Sequence, residues 1–141
     1  MESERKALLK FKDTISHGSD GLISWEAEDC CKWDRVFCNN LTGQVTNLDL
    51  IGFNLAGKLD ASICELQHVT SLNLDDNYIR GEIPKCIGLL GKMKELHLNG
   101  NELVGILCKS AVHKRASSFP LRCNSFIFPS KPMHFGIFPL M

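Results

Sequence analysis

The seven cysteines and five histidines of this 141-residue chain are its first candidates for metal binding or catalysis. Cys108, His113, Cys123 and His134 could supply four thiolate and imidazole ligands to a zinc ion, but their intervals fit no common zinc-finger spacing. No glycine-rich phosphate loop, His-Glu-x-x-His helix or Gly-x-Ser-x-Gly turn occurs. We therefore expect no enzyme activity, no bound metal and no cofactor.

The cysteines also carry information about the compartment in which the chain folds. Cys30, Cys31 and Cys38 are clustered, which is more typical of an oxidising compartment than of the reducing cytosol. The odd total leaves at least one thiol unpaired in a monomer. The amino terminus, in contrast, lacks the apolar core of a secretory signal, which predicts retention of the chain in the cytosol.

The overall composition excludes several classes of protein. The chain is 44% apolar with 16 basic and 16 acidic residues, so neither global disorder nor a coating of nucleic acid is expected. No stretch approaches the roughly 20 apolar residues of a membrane-spanning helix. All 16 acidic residues lie in residues 1–107, whereas residues 108–141 carry five basic residues and four of the five prolines. The composition therefore changes near Cys108.

A 24-residue repeat organises the middle of the chain. A third copy of the pattern begins at Met93 and loses its register after Cys108. The alternation in Leu72-Asn73-Leu74 predicts a short strand with one buried face, so that each unit buries its leucines against its neighbours in a solenoid. The matched positions of the first two copies are Val45, Leu48, Leu50, Leu55, Gly57, Leu59, Ile63 and Leu66, and Val69, Leu72, Leu74, Ile79, Gly81, Ile83, Ile87 and Leu90.

Polar residues alternate with the strand leucines and should form columns on the inner, concave face of such a solenoid. Solenoids usually bind their partners on this face, although a solvated face without a ligand is the alternative here. Asn77 and Asn101 are predicted to bond the backbone of their turn and of the next coil. The candidate binding face consists of Asn47, Asp49, Ser71, Asn73, Asp75, Glu95, His97 and Asn99.

The residues before Val45 are predicted to cap the exposed end of the first coil. Ala7, Leu8, Phe11 and Ile15 have helical spacing with charged residues between them, which predicts an amphipathic helix at the amino terminus.

Two segments resemble a known family. Residues 72–84 follow the pattern Leu-x-Leu-x-x-Asn-x-Leu-x-Gly-x-Ile-Pro, with Ile79 at the third leucine position, and resemble the plant-specific class of leucine-rich repeat. The segment from Leu22-Ile23-Ser24-Trp25 through Cys30-Cys31-Lys32-Trp33 to Cys38 looks like the amino-terminal cap of plant leucine-rich-repeat receptors and polygalacturonase-inhibiting proteins. The resemblance implies an α/β-type solenoid, a short right-handed superhelix with a helical, cysteine-containing cap and an irregular carboxyl-terminal tail.

The resemblance also implies roles for residues of the cap. It implies a disulfide between Cys31 and Cys38, and it pairs Cys30 with a cysteine before the helix that this sequence lacks. Arg35 stands where relatives carry glycine, which would be costly if that position requires a positive φ. Asn40 begins the only Asn-x-Ser/Thr triplet and is a candidate for glycosylation, with an ordinary turn asparagine as the alternative.

Cys64 and Cys86 lie outside these motifs, at offsets 19 and 17 from the starts of their repeats. Because the two offsets differ, we expect two buried thiols on the convex side, with a disulfide between them left open.

The expected organisation is a cap over residues 1–44, repeats over 45–68 and 69–92, a partial third repeat over 93–108 and a non-repeat, disordered tail over 109–141. The resemblance implies recognition of a protein, a peptide, a cell-wall-derived ligand or a co-receptor, at the plasma membrane, in the cell wall or outside the cell, in defence or development. One alternative is a polygalacturonase-inhibitor-like protein. Another is a truncated product that lacks independent activity because its solenoid is uncapped.

Overall fold

The computed structural model describes residues 2–17, 22–109 and 122–128. One α-helix, α1, spans Glu2–Thr14, and short 3₁₀ helices span Cys30–Lys32, Ala61–Glu65 and Lys85–Leu89. The strands are β1 (Ile15–His17), β2 (Val36–Cys38), β3 (Val45–Asp49), β4 (Leu55–Lys58), β5 (Ser71–Asn73), β6 (Tyr78–Glu82), β7 (Glu95–His97), β8 (Glu102–Lys109) and β9 (Arg122–Phe128). None of the helices in these ranges has the length and apolar character needed to cross a bilayer.

Two sheets run along the solenoid. The first has the order β2-β3-β5-β7, in which β3, β5 and β7 are parallel and β2 is antiparallel to β3. The second has the order β1-β4-β6-β8-β9, with three parallel central strands and an antiparallel strand at each edge. The fold is thus a short leucine-rich-repeat solenoid with a helical, cysteine-containing cap, as the repeat and the resemblance predict.

The two sheets differ in the number of residues between paired positions. In the first sheet Leu48 pairs with Leu72, which is 24 residues away and matches the sequence repeat. In the second sheet Gly57 pairs with Ile79, only 22 residues away. Successive coils are therefore shifted by two residues on the outer side of the solenoid relative to the inner side.

Helix α1 forms the cap predicted from its spacing. Leu8 and Phe11 are completely buried, and the two glutamates at the start of the helix complement its dipole. Phe11 packs against Trp25, and Trp25 stacks on Trp33 with 5.2 Å between ring centroids. One of the helix glutamates, Glu4, is itself buried, and its carboxylate accepts a hydrogen bond from the Val45 backbone N–H at 3.1 Å. This bond connects the cap directly to the first strand of the repeats.

Buried asparagines hold the coils together. The Asn77 side-chain oxygen accepts hydrogen bonds from the backbone N–H groups of Phe53 and Leu55, and its amide donates to the carbonyl of Leu50. Asn101 repeats the arrangement one coil later, where it accepts from Ile79 N–H. The predicted role is correct but its direction is not, because each side chain bonds the preceding coil rather than the next one.

The residue two positions after β4 and after β6 caps the 3₁₀ helix that follows the strand. Asp60 caps the 3₁₀ helix that follows β4, where its carboxylate accepts from Ser62 N–H at 2.9 Å, and Pro84 begins the 3₁₀ helix that follows β6. Cys108 occupies the equivalent position in the third repeat and offers neither a capping carboxylate nor the fixed φ of proline. Strand β8 continues through this position to Lys109.

The tail differs from the irregular segment that its composition predicts. Residues 122–128 form β9, which pairs antiparallel with β8. This stretch is free of proline, lies between Pro120 and Pro129, and is rich in phenylalanine and isoleucine, all of which favour a strand. The remainder of the predicted tail, residues 110–121 and 129–141, lies outside the described residues.

Candidate functional site

The concave sheet brings the predicted polar columns into register. Asn47, Ser71 and Glu95 are paired across β3, β5 and β7, and Asp49, Asn73 and His97 form the next row. Every one of these side chains is partly exposed, whereas the leucines between them are buried. The alternation of buried and exposed residues in the strands therefore produces a polar surface three strands wide.

Strand β2 extends this surface on the side of the cap. Phe37 pairs with Asn47 and is half exposed, and the backbone carbonyl of Arg35 accepts a hydrogen bond from Asp49 N–H. Neither Phe37 nor Arg35 belongs to the candidate face predicted from the sequence. The alternation of Val36, Phe37 and Cys38 was the available signal, but an antiparallel strand has no place in the 24-residue repeat. We call the surface formed by β2, β3, β5 and β7 the concave face.

An arginine connects the cap to the first repeat at the edge of this face. The Arg35 guanidinium lies 3.9 Å from an Asp49 carboxylate oxygen and 5.7 Å from the centroid of the Phe53 ring. The Arg35 backbone φ is 70°, so the position does adopt the positive φ that glycine tolerates best. These contacts fix the direction of the Arg35 side chain over the first coil.

The turns that follow the strands form a second polar cluster. One Asp75 carboxylate oxygen accepts a hydrogen bond from Asn99 N–H at 2.7 Å, and the other lies 3.8 Å from His97 Nδ1. The His97 and Asp75 side chains are 23% and 16% exposed. Ile51 occupies the corresponding place in the first repeat and is exposed. Ile51, Asp75 and Asn99 thus occupy the same place in three successive repeats, and the first of them is apolar.

The chemistry available on the concave face is that of recognition. Carboxylates, amides, a hydroxyl and an imidazole offer hydrogen bonds and charge, and Phe37 and Ile51 offer apolar contact. Within the described part of the chain no group of three or more His, Cys, Asp or Glu could hold a metal ion. Of the four zinc candidates, His113 and His134 lie outside the described residues.

Two disulfides stabilise the regions around this face. Cys31 and Cys38 are bonded, which is the pairing that the family resemblance implies. Cys64 and Cys86 are also bonded, so the expectation of two buried thiols there is wrong. The two cysteines are 22 residues apart, which is the same spacing that relates β4 to β6. The shift of two residues on the outer side therefore cancels the difference in their repeat offsets.

Cys30 is a buried free thiol in the cap. Burial raises the pKa of the Cys30 thiol above its ordinary value, because desolvation disfavours the thiolate. The thiol is therefore protonated at neutral pH and poorly reactive while the cap is folded.

The predicted glycosylation residue, Asn40, is exposed in the turn between β2 and β3. Its neighbour Asn39 orders this turn, because the Asn39 side-chain oxygen accepts from the backbone N–H groups of Leu41 and Thr42. Modification of Asn40 remains a prediction, for which the turn provides an accessible acceptor.

A stack of 24-residue coils, a ladder of buried asparagines and a tryptophan-containing cap define a leucine-rich-repeat solenoid, and the comparisons with known proteins show what this chain is similar to. Residues 1–39 match the leucine rich repeat N-terminal domain family. This match covers the helix and the cysteine-containing segment of the cap.

Particular relatives are receptors. Receptor-like protein EIX1 of Solanum lycopersicum is 33% identical in an alignment of length 125 that covers 76% of this chain and 12% of that protein. Phytosulfokine receptor 1 of Arabidopsis thaliana is 39% identical in an alignment of length 103 that covers 70% of this chain and 10% of that protein. The chain thus spans about a tenth of the length of these relatives.

The solved structures give the same assignment. The Arabidopsis receptor kinase HAESA, in complex with the peptide hormone IDA and the co-receptor SERK1, superposes with a TM-score of 0.68 and 27% identity. The superposition covers 79% of this chain and 19% of that chain. The chain is therefore similar to the amino-terminal part of plant leucine-rich-repeat ectodomains.

Proposed function

We propose that the chain is a non-catalytic recognition module that binds a peptide, or an extended segment of a protein partner, on its concave face. The observation that carries this proposal is the register of the concave sheet, which aligns polar side chains from three successive coils into continuous rows. Rows of side chains at the strand spacing suit an extended polypeptide, whose own side chains repeat over a similar distance.

The charges of the face favour one kind of partner. Asp49, Asp75 and Glu95 provide three carboxylates, against the guanidinium of Arg35 and the imidazole of His97. A peptide with a basic residue and an apolar residue would complement the carboxylates together with Phe37 or Ile51. A negatively charged cell-wall fragment would instead be repelled by the carboxylates.

The similar receptors support a role in perception outside the cell. HAESA was solved with a peptide hormone and a co-receptor, and we propose a related use of this chain in defence or development. Two disulfides and the exposed acceptor Asn40 also suit a compartment outside the cytosol. Because the chain spans about a tenth of its curated relatives, the repeats present here would supply one part of a larger binding surface.

The proposal is tested by selecting binders from a random peptide library displayed on phage, with the full chain as immobilised target. Ser71→Arg would place a bulky cation at the centre of the concave face, and we expect it to weaken the selected peptides by at least about tenfold. Ala61→Arg provides the matched control, because Ala61 is exposed on the 3₁₀ helix that follows β4.

The controls separate binding from folding. Circular dichroism should show the same spectrum for both variants and the unsubstituted chain. Failure to enrich any peptide, or equal loss of binding in both variants, would contradict the proposal. Selected peptides rich in lysine or arginine and one apolar residue would support the charge argument, whereas acidic peptides would count against it.

A further inference from the structure

Two cysteines lie opposite each other where the tail meets the last repeat. Strands β8 and β9 pair antiparallel, and in this pairing Cys108 is the direct partner of Cys123, next to the pair formed by Lys109 and Arg122. We propose that Cys108 and Cys123 form a third disulfide, which fastens β9 to the end of the solenoid.

The register meets the distance requirement of a disulfide. Directly opposed residues of an antiparallel pair have Cα atoms about 4.5 to 5.5 Å apart and lie on the same face of the sheet. The Cα atoms of disulfides are usually about 4.4 to 6.8 Å apart. A pair in the direct register of Cys108 and Cys123 is therefore within the range of Cα separations that disulfides span.

An irregularity in the pairing of β8 with β9 places Cys108 opposite Cys123. Between Gly105 and Leu107 the pairing partners run from Phe128 to Phe126, and the register then shifts between Leu107 and Cys108. Two residues of β9, Asn124 and Ser125, are passed over at this point. With the earlier register Cys108 would face Ser125, so the shift is what places the two cysteines opposite each other.

The other five cysteines are accounted for, which leaves Cys108 and Cys123 to pair with each other. Cys31–Cys38 and Cys64–Cys86 are bonded, and Cys30 is buried in the cap. Of the seven cysteines only Cys108 and Cys123 are then unassigned. A chain that forms two disulfides elsewhere folds under conditions that would oxidise a third opposed pair as well.

The bond forms by thiol–disulfide exchange with a small-molecule disulfide such as oxidised glutathione. One cysteine thiolate attacks the oxidant, which gives a mixed disulfide and one released thiol. The second thiolate attacks the mixed disulfide, the bond between the two cysteines forms and a second thiol leaves. Two protein thiols and one disulfide are thereby converted into one protein disulfide and two small thiols.

The consequence concerns the end of strand β8. This strand pairs with β6 through residues 102–104 and with β9 through residues 105–109, so β9 pairs the part of β8 that extends beyond the parallel sheet. An unpaired strand is a site for pairing with a second chain. The disulfide would hold β9 against residues 105–109.

The direct test is peptide mapping of the full chain produced by secretion and alkylated without reduction. Trypsin should release Glu95–Lys109 joined to the peptide that begins at Cys123, and reduction should separate the two. Denatured but unreduced protein should react with one maleimide per chain, at Cys30, because six of the seven cysteines are then in disulfides. Alkylation of both Cys108 and Cys123, or bonding of either to Cys30, would overturn the proposal.

A zinc-bound thiol pair is the competing outcome and is distinguished by native mass spectrometry. A mass increase equal to one zinc ion, lost on addition of a chelator, would replace the disulfide with a metal site. The disulfide predicts instead no bound metal and a mass two hydrogen atoms lower than that of the chain with both thiols.

A double variant tests the structural role. Cys108→Ser with Cys123→Ser should lower the thermal unfolding midpoint by on the order of 10 °C and increase self-association in size-exclusion chromatography. Cys30→Ser is the matched control and should show no change in self-association. An unchanged midpoint together with unchanged elution would mean that β9 needs no covalent attachment.

Discussion

Arg35 combines favourable side-chain contacts with an unfavourable backbone conformation. Its guanidinium reaches Asp49 and Phe53, but the residue has a backbone φ of 70°. The ion pair joins side chains that are 45% and 37% exposed, so it contributes a few tenths of a kcal/mol at most. The left-handed conformation of a non-glycine residue costs roughly 1 kcal/mol.

We therefore expect Arg35→Gly to be more stable than Arg35→Ala by about 1 kcal/mol, since both lose the ion pair and only glycine relieves the backbone. Urea unfolding of the two variants measures this difference directly. Arg35→Gly should equal or exceed the unsubstituted chain in stability. Equal stability of the glycine and alanine variants would show that the φ of 70° carries no strain.

Asn77 illustrates which residue roles the sequence could predict. A single asparagine at a fixed repeat position predicts a hydrogen-bonded ladder, and the structure contains it. The sequence could not predict which neighbouring coil the asparagine bonds, because a side-chain amide can form hydrogen bonds with the preceding or the following coil equally well. Burial of Glu4 was missed for a related reason, since an isolated glutamate in an amphipathic helix is usually solvated.

At the scale of elements, the second sheet and its disulfide depend on the shift of two residues between the inner and outer sides. The 24-residue repeat predicts the inner sheet, but no residue pattern indicates that the outer pairing is spaced by 22. The shift is a property of how the coils stack in three dimensions. Cys64 and Cys86 are therefore paired in space although their repeat offsets differ.

The Cys64–Cys86 bond joins two consecutive 3₁₀ helices across 22 residues, and we expect its removal by serine to cost about 3 kcal/mol. Cys31→Ser with Cys38→Ser opens a loop of only seven residues and should cost about 1 kcal/mol less. Guanidinium unfolding of the two double variants compares the losses. A larger loss for the shorter loop would contradict the explanation from loop closure.

The carboxylate of Asp60 caps a 3₁₀ helix, and its titration makes the stability of the fold depend on pH. Hydrogen bonds from Ser62 lower the pKa of the Asp60 carboxyl below its ordinary value of 3.8, because they favour the ionised form. A lowered folded pKa means that the cap contributes stability above the unfolded pKa, and that this contribution is lost as the pH falls through the folded pKa.

Asp60→Ser keeps a capping oxygen but removes the titration. We expect the difference in stability between the unsubstituted chain and this variant to be constant from about pH 5 to 7 and to decrease below about pH 4. Thermal unfolding across this range measures the difference. A difference that grows on acidification would show that Asp60 is destabilising when ionised.

At the scale of the whole molecule, the cap and the repeats share one core. The buried apolar cluster extends without interruption from Ala7 in α1 to Leu103 in β8, and the Glu4 hydrogen bond crosses the boundary between cap and repeats. The sequence predicts the helix and the strands separately, from their different periodicities. It does not predict how strongly they are coupled, because that depends on side chains from both regions packing together.

The shared core predicts that cap and repeats unfold together, and two spectroscopic probes test this. Both tryptophans, Trp25 and Trp33, lie in the cap, so their fluorescence reports on the cap alone, whereas far-ultraviolet circular dichroism reports on helix α1 and on the strands of the repeats together. We expect the two probes to give the same denaturant midpoint and slope, since neither region buries its apolar surface without the other.

The hydrogen bond from Val45 to Glu4 allows this coupling to be weakened on purpose. Glu4→Ala leaves the buried Val45 N–H without its acceptor and should lower both midpoints together by about 1 to 3 kcal/mol in unfolding free energy. Glu2→Ala is the matched control in the same helix turn, where the side chain is 65% exposed, and should change stability by less than about 0.5 kcal/mol. If fluorescence instead melts before circular dichroism in the unsubstituted chain, the cap is an independent unit, and the repeats retain their structure without it.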